Sequence, residues 1–164
     1  MEMLSCAVIG HKPTRFKFKY KENMSGCKRL KKRLHDQFVL LYEKGVRRFY
    51  VGGALGVDMW AAEILLRMKE QPGFEEVDLN VILPYKRHDA NLDERSKARM
   101  QFIQDHARVI VVSDIHDMVD QADYLIAVYD NEQNLCSRTM QMVKYAEQKG
   151  MPIIFIHPDT GKVF

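Results

Sequence analysis

Arg48-Phe-Tyr-Val-Gly-Gly-Ala-Leu-Gly-Val-Asp-Met-Trp-Ala-Ala-Glu63 is the stretch that decides how this chain folds. A short apolar run, Phe49 to Val51, stops at Gly52-Gly53, and a third glycine, Gly56, opens a segment with helical periodicity. Strand, glycine turn and helix in that order let backbone N–H groups approach a phosphate at a helix N-terminus, where the helix dipole favours negative charge. Glycines remove the Cβ atoms that would block the approach and supply positive φ where the turn needs it. Asp58 and Glu63 add carboxylates to the first turns of the same helix.

The pattern repeats on both sides of this unit. Apolar strand-like runs fall at Cys6–Ile9, Phe49–Val51, Val77–Leu83, Val109–Val112, Tyr124–Tyr129 and Ile153–Ile156. Between them lie helical patterns. Cys27, Leu30, Leu34, Phe38 and Leu41 recur at helical spacing before Gly45; further helices run from Val57 to Lys69, from a cap at Asp93 to His106, and from Ser137 to Gln148 before Gly150. The strands are short, continuous and rich in Val and Ile, as expected of strands buried on both faces of a parallel sheet. Repeated β-α units with right-handed crossovers predict a Rossmann-like three-layer α/β/α sandwich with a mainly parallel sheet of six strands, forming a single domain over residues 1–164.

Composition limits the function classes. A hydrophobic fraction of 46% and a charged fraction of 29% are those of a globular chain. No run approaches the roughly 18 apolar residues of a membrane span, and the N-terminus enters a strand without a basic leader, so a cytoplasmic protein is expected. Cys6, Cys27 and Cys136 are odd in number and form no Cys-x-x-Cys pair, which fits reduced thiols. The net charge of +3 hides an asymmetry: residues 11–50 hold 13 Lys/Arg against three acids, and the remainder holds 12 against 19. Either an anionic ligand near the first strand-helix unit or a solvated helix face accounts for it.

Ligands of open parallel sheets bind outside the carboxyl ends of the strands, near the topological switch point. The residues that follow each strand are therefore the candidate site. They are Gly10, His11 and Lys12 after the first strand, and Gly52, Gly53, Gly56 and Asp58 after the second. Pro84 and Tyr85 follow the third, and Asp130 follows the fifth, with Ser137, Arg138 and Thr139 opening the next helix. Backbone suited to phosphate and side chains suited to sugar hydroxyls make a nucleotide or nucleotide-like ligand the expectation. His35, His88, His106, His116 and His157 show no paired ligand spacing, so neither a metal site nor a required cofactor is expected.

Three blocks carry a family resemblance. Ile9-Gly-His-Lys-Pro13 is similar to a Thr-Gly-His-Arg-Pro opening, and Gly52-Gly-Ala-Leu-Gly-Val-Asp-Met-Trp-Ala-Ala-Glu63 to a glycine-rich signature. Met118-Val-Asp-Gln-Ala-Asp-Tyr-Leu-Ile-Ala-Val-Tyr-Asp130 is similar to a third block. Together they resemble the YpsA-like branch of the SLOG superfamily, which includes the DNA-processing protein A fold and the lonely guy phosphoribohydrolases. The resemblance implies a Rossmann-like fold and a nucleotide or nucleotide-derived ligand, and leaves catalysis open. Where relatives carry a Gly-Gly-Thr-like loop, this chain has Asn131-Glu-Gln-Asn-Leu-Cys-Ser-Arg-Thr139, in which Ser137, Arg138 and Thr139 offer side-chain donors instead. The Gln-containing pattern expected after Pro84-Tyr85 is missing, and the Pro-Gly-Gly-x-Gly-Thr-x-x-Glu signature of the phosphoribohydrolases is absent.

The leading expectation is a sensor or regulatory protein. Its ligand's phosphates would lie over Gly52, Gly53 and Gly56, Lys12 and Arg138 would neutralise their charge, and Asp58 and Asp130 would meet the sugar. The alternative is an N-glycosidase acting on a nucleotide or ADP-ribose-type substrate, with Glu63 or Asp58 as the catalytic carboxylate; Asp58 as a helix-start residue and Glu63 as an exposed one are the plainer roles. A further alternative is single-stranded nucleic-acid binding by Arg15-Phe-Lys-Phe-Lys-Tyr-Lys21, whose aromatic and basic residues alternate; an edge strand or hairpin explains the same alternation. Trp60 is open between base stacking, core packing and a subunit contact in a homo-oligomer.

Overall fold

A computed structural model describes residues 3–11, 13, 16–83, 92–112, 114, 116–129 and 138–164, with the backbone alone at Arg138. Along the chain the elements are β1 (Leu4–Gly10), α1 (Ser25–Glu43), β2 (Val46–Gly52), α2 (Val57–Lys69), β3 (Asp78–Leu83) and α3 (Glu94–Asp105). They continue with β4 (Arg108–Val111), α4 (His116–Asp120), β5 (Tyr124–Val128), α5 (Arg138–Gln148) and β6 (Ile153–Ile156). The six strands form one sheet in the order β4-β3-β2-β1-β5-β6, and every pairing is parallel. The expected mainly parallel six-stranded sheet is thus present.

Period-two alternation divides the strand side chains between two apolar layers. Cys6, Val8, Phe49, Val51, Val81 and Leu83 join the layer that α1, α2 and α3 cover. Ala7, Ile9, Tyr50, Ile82, Leu125 and Ala127 face the layer that α4 and α5 cover. α1 buries Cys27, Leu30, Leu34, Phe38, Leu41 and Tyr42, the stripe its spacing predicts, and Gly45 ends it at a φ of 107°. α3 is capped as expected, the Asp93 carboxylate accepting the Ser96 N–H at 2.7 Å. The short helix α4 was not foreseen, because five residues carry too little periodicity to register.

Residues 16–20 are neither strand nor hairpin. Successive turns carry them, with Phe16 N–H donating to the Pro13 carbonyl, Lys19 N–H to Phe16 and Lys21 N–H to Phe18. The alternation is an inside-outside alternation: Phe16 and Phe18 are 2% and 8% exposed, while Lys17, Lys19 and Tyr20 face solvent. Both rings pack on Trp60, at centroid distances of 5.3 and 5.7 Å, and the Lys31 ammonium lies over the indole at 5.8 Å. Phe16 and Phe18 held this way are not available to stack on bases, which leaves Tyr20, 63% exposed, as the one open ring among the described residues of this stretch. Trp60 itself is core. Truncating so large a buried side chain leaves a cavity, so Trp60→Ala should cost about 3–5 kcal/mol in urea denaturation. A loss below about 1 kcal/mol would contradict its role as the anchor of residues 16–18.

Candidate functional site at the switch point

β1 is followed in the chain by β2 on one side of it, while its other neighbour, β5, is reached from the far edge of the sheet. The switch point therefore lies at the carboxyl ends of β1 and β5, the place where such sheets hold ligands. Three glycines close this region tightly. A methyl group on Gly10 would stand 2.5 Å from Val57 Cβ, and one on Gly56 would stand 2.7 Å from the His11 carbonyl oxygen and 3.0 Å from Pro13 Cδ. One on Gly52 would stand 2.6 Å from Asp58 Oδ2. Gly56 also has a φ of 89°, in the left-handed region that L-residues avoid. The notches beside these Cα atoms are filled by protein atoms. Their first effect is to seat the N-terminus of α2 against the loop leaving β1, with the Val57 N–H directed at the His11 carbonyl at 3.5 Å.

Asp58 is half-buried and turns back into its own loop, where Oδ2 accepts the Ala54 N–H at 3.2 Å. It is not the N-cap, a position held by Gly56. Its negative charge lies in the first turn of α2, where it offsets the positive end of the helix dipole. α5 carries no acidic residue in its first turn. There the Thr139 hydroxyl donates to the Gly10 carbonyl at 3.1 Å and ties the start of α5 to the end of β1. His11 is 4% exposed and its ring lies 5.9 Å from that of Tyr129, at the end of β5. Gly10, His11, Gly52, Gly56, Asp58 and Thr139 are thus drawn to one end of the sheet, together with Gly53 in the same turn. Lys12, Pro84, Tyr85, Asp130 and Ser137 lie outside the described residues, as does the Arg138 side chain.

Glu63 belongs elsewhere. It lies five residues beyond Asp58, about 7.5 Å farther along the helix axis. Arg99 of α3 grips it with Nη2–Oε1 at 2.6 Å and Nε–Oε2 at 3.1 Å. The same guanidinium donates to both oxygens of Glu22, at 2.7 and 2.9 Å, and Lys31 donates to Glu22 at 2.9 Å. Partial burial alone would raise the Glu22 carboxyl, but the hydrogen bonds from Arg99 and Lys31 outweigh it and hold it down at about 2. Hydrogen bonds to Glu22 and Glu63 push the Arg99 guanidinium upward in turn. The network joins the loop before α1, α1, α2 and α3, so Glu63 reads as a structural carboxylate engaged by Arg99 and not as a residue aimed at the switch point. Arg99 and Tyr129 were not singled out from sequence. Arg99 pairs with residues 36 and 77 positions away, a separation that leaves no local pattern.

Among the described residues no group of three His, Cys, Asp or Glu is placed to hold a metal ion. Cys6 and Cys27 are buried free thiols, and desolvation raises Cys27 to about 11, which argues against a reactive role. Among the described residues no helix is long and apolar enough to cross a membrane.

An all-parallel six-stranded sheet in the order β4-β3-β2-β1-β5-β6, flanked by helices, defines a Rossmann-like α/β protein. Residues 6–160 match the YspA SLOG family (YpsA), and the chain belongs to that family. A UPF0398 protein of Bacillus cereus is 27% identical over 157 residues, covering 88% of this chain and 83% of its own. The UPF0398 protein YpsA of Bacillus subtilis is 24% identical, covering 96% of this chain and 94% of its own. A shikimate dehydrogenase structure from Mycobacterium tuberculosis aligns over 66% of this chain and 45% of its own at 13% identity; its TM-score of 0.31 is too low to bear on fold or function.

Two outcomes follow from this geometry. Gly56→Ala meets both an unfavourable φ and a backbone oxygen, so it should lower stability by about 2 kcal/mol or more by denaturant titration. A neutral result would mean that α2 can move away from the β1 loop. Arg99→Met should be less stable than the parent at pH 7 by on the order of 1–2 kcal/mol, allowing for solvent screening. Because the folded Glu22 carboxyl lies below its ordinary value of 4.5, the contribution is present above that pH and disappears as pH falls toward about 2. The gap between parent and variant should close over that window; a gap independent of pH would contradict the carboxylate–guanidinium account.

Proposed function

We propose that the protein binds a nucleotide or nucleotide-derived ligand at the carboxyl ends of β1, β2 and β5, as a sensor or regulatory protein. The observation that carries this reading is the unequal treatment of the two helix starts that meet β1. The α2 start is supplied with its own carboxylate, Asp58, lodged against Gly52; the α5 start has no acid in its first turn. A phosphate placed over Gly52 would meet the Asp58 charge at close range, so this turn suits the hydroxyls of a sugar, which donate hydrogen bonds to a carboxylate. The phosphate end of the ligand belongs instead at the start of α5, where Thr139 stands and the sequence supplies Ser137 and Arg138. This reverses the expectation that phosphates lie over the glycine turn. Membership in the SLOG family is consistent with such a ligand. The N-glycosidase alternative gains no observation in its favour, since Arg99 engages Glu63 and Ala54 engages Asp58.

Thermal unfolding against a panel of mononucleotides, dinucleotides and ADP-ribose tests the proposal. A ligand at 100 times its Kd adds about 2.7 kcal/mol of stability, a shift of several degrees for a domain of this size. Asp58→Asn keeps an acceptor for Ala54 but gives up the charge at the helix start, so the unliganded protein should lose about 0.3–1 kcal/mol and stay folded. It should reduce the shift given by ribose-containing ligands and leave any response to inorganic phosphate intact. No shift with any nucleotide at millimolar concentration overturns the proposal, and an equal shift in parent and variant removes Asp58 from the sugar site.

A further inference from the structure

We infer that the protein associates with a second copy of itself along β4, joining two six-stranded sheets into one across a two-fold axis. The two edges of the sheet are treated differently. Beyond β6 the chain folds back over that edge: Phe155 and Phe164 exchange backbone hydrogen bonds at 3.2 and 3.0 Å, His157 N–H donates to the Lys162 carbonyl at 2.8 Å, and Ile156 bridges Val163 in antiparallel fashion. Among the described residues nothing pairs with the outer side of β4. Val112 N–H donates to the Leu83 carbonyl at 2.9 Å, so the even-numbered residues turn their backbone groups toward β3. Val109 and Val111 turn theirs outward.

The side chains of this edge are as open as its backbone. Val109 and Val111 lie opposite Val81 and Leu83, which are buried, yet are themselves 40% and 46% exposed. Phe102, on the helix that leads into β4, is 57% exposed. Exposed edges are normally blunted by lysine, proline or an inward-pointing charge. Arg108-Val-Ile-Val111 has a charge only at its first position.

The pattern is self-complementary, which points to a second copy as the occupant. A two-fold axis makes the two β4 strands antiparallel. With only odd-numbered residues free to bond, Val109 of each copy pairs with Val111 of the other, and the four valines cover one another on one face. The charges then match. Arg108 opens the strand, and Asp114, whose side chain is 61% exposed and whose Oδ1 accepts the His116 N–H at 3.0 Å and lies 2.7 Å from His116 Nδ1, follows the leaving end. Antiparallel pairing brings Arg108 of each copy toward Asp114 of the other, twice over.

Sedimentation equilibrium of the full chain at roughly 1 to 100 μM tests this. The parent should show a concentration-dependent dimer. Val111→Lys changes an exposed side chain, so it should keep the parent's circular dichroism spectrum and sediment as a monomer. Arg108→Asp should raise the dimer Kd about tenfold; Asp114→Asn, which keeps an acceptor for the His116 N–H, should raise it less, and the two together should cost less than the sum of the single changes. A parent that is monomeric at about 100 μM overturns the inference. So does a dimer that survives Val111→Lys, or changes at Arg108 and Asp114 whose costs simply add.

Discussion

The close seating of α2 against the loop leaving β1 is the constraint on which the rest of the structure depends. Val57 packs onto the bare Cα of Gly10, and the His11 carbonyl lies where a side chain on Gly56 would project. Either contact fails if a Cβ is added, because the obstructing atoms belong to a helix turn and a backbone carbonyl and not to a flexible side-chain tip. α2 lies against β1, β2 and β3, and against α1 and α3 on its flanks. Its height above the sheet therefore sets the spacing of the whole layer. The left-handed φ at Gly56 lets the chain leave β2, turn sharply and enter the helix at that height.

A second set of interactions fixes the outer side of the same helix. Trp60 anchors the turns at Phe16 and Phe18, and Glu63 anchors α3 through Arg99, which also reaches Glu22. Each partner of Arg99 would be a costly half-buried charge alone, and together they satisfy one another's hydrogen-bonding capacity. The helix is thus held at its start by backbone contact, in its middle by an aromatic cluster, and on its flank by charge. A carboxylate committed to this network is poorly placed to serve chemistry at the switch point. The glycine turn and Glu63 stand close in sequence yet perform separate tasks.

What the sequence made legible follows from how local each cause is. The stripe from Cys27 to Leu41, the Asp93 cap, the glycine end of α1 and the Val/Ile-rich strands are each specified within one helical turn or one strand, and all are present. The lysine-aromatic alternation at residues 15–21 misled because a period of two is shared by strands and by turns that alternate core and solvent; only the presence of Trp60, some forty residues on, distinguishes them. The glycines were legible as a site marker but not as to which side of each Cα is occupied. A glycine that admits a ligand and one that admits a neighbouring helix look the same in sequence. The partners of Arg99 are set by the fold alone.

The uneven charge of residues 11–50 takes on a definite meaning in this frame. Part of the excess is committed to pairs: Lys31 with Glu22, Arg47 with Glu76 and Arg48 with Asp78. Lys17, Lys19, Lys21, Lys28 and Lys32 remain exposed on the turns and helix that follow β1. These turns leave the carboxyl end of β1, the same end of the sheet as the switch point. On the proposed reading, such lysines act at a distance. They raise the local concentration of an anionic ligand through their summed field, which weakens as ionic strength rises. Orientation at contact range falls to different groups: the Asp58 carboxylate repels phosphate from the glycine turn, and the acid-free start of α5 accepts it. Attraction and orientation are then separable, the first sensitive to salt and the second to the identity of a single carboxylate.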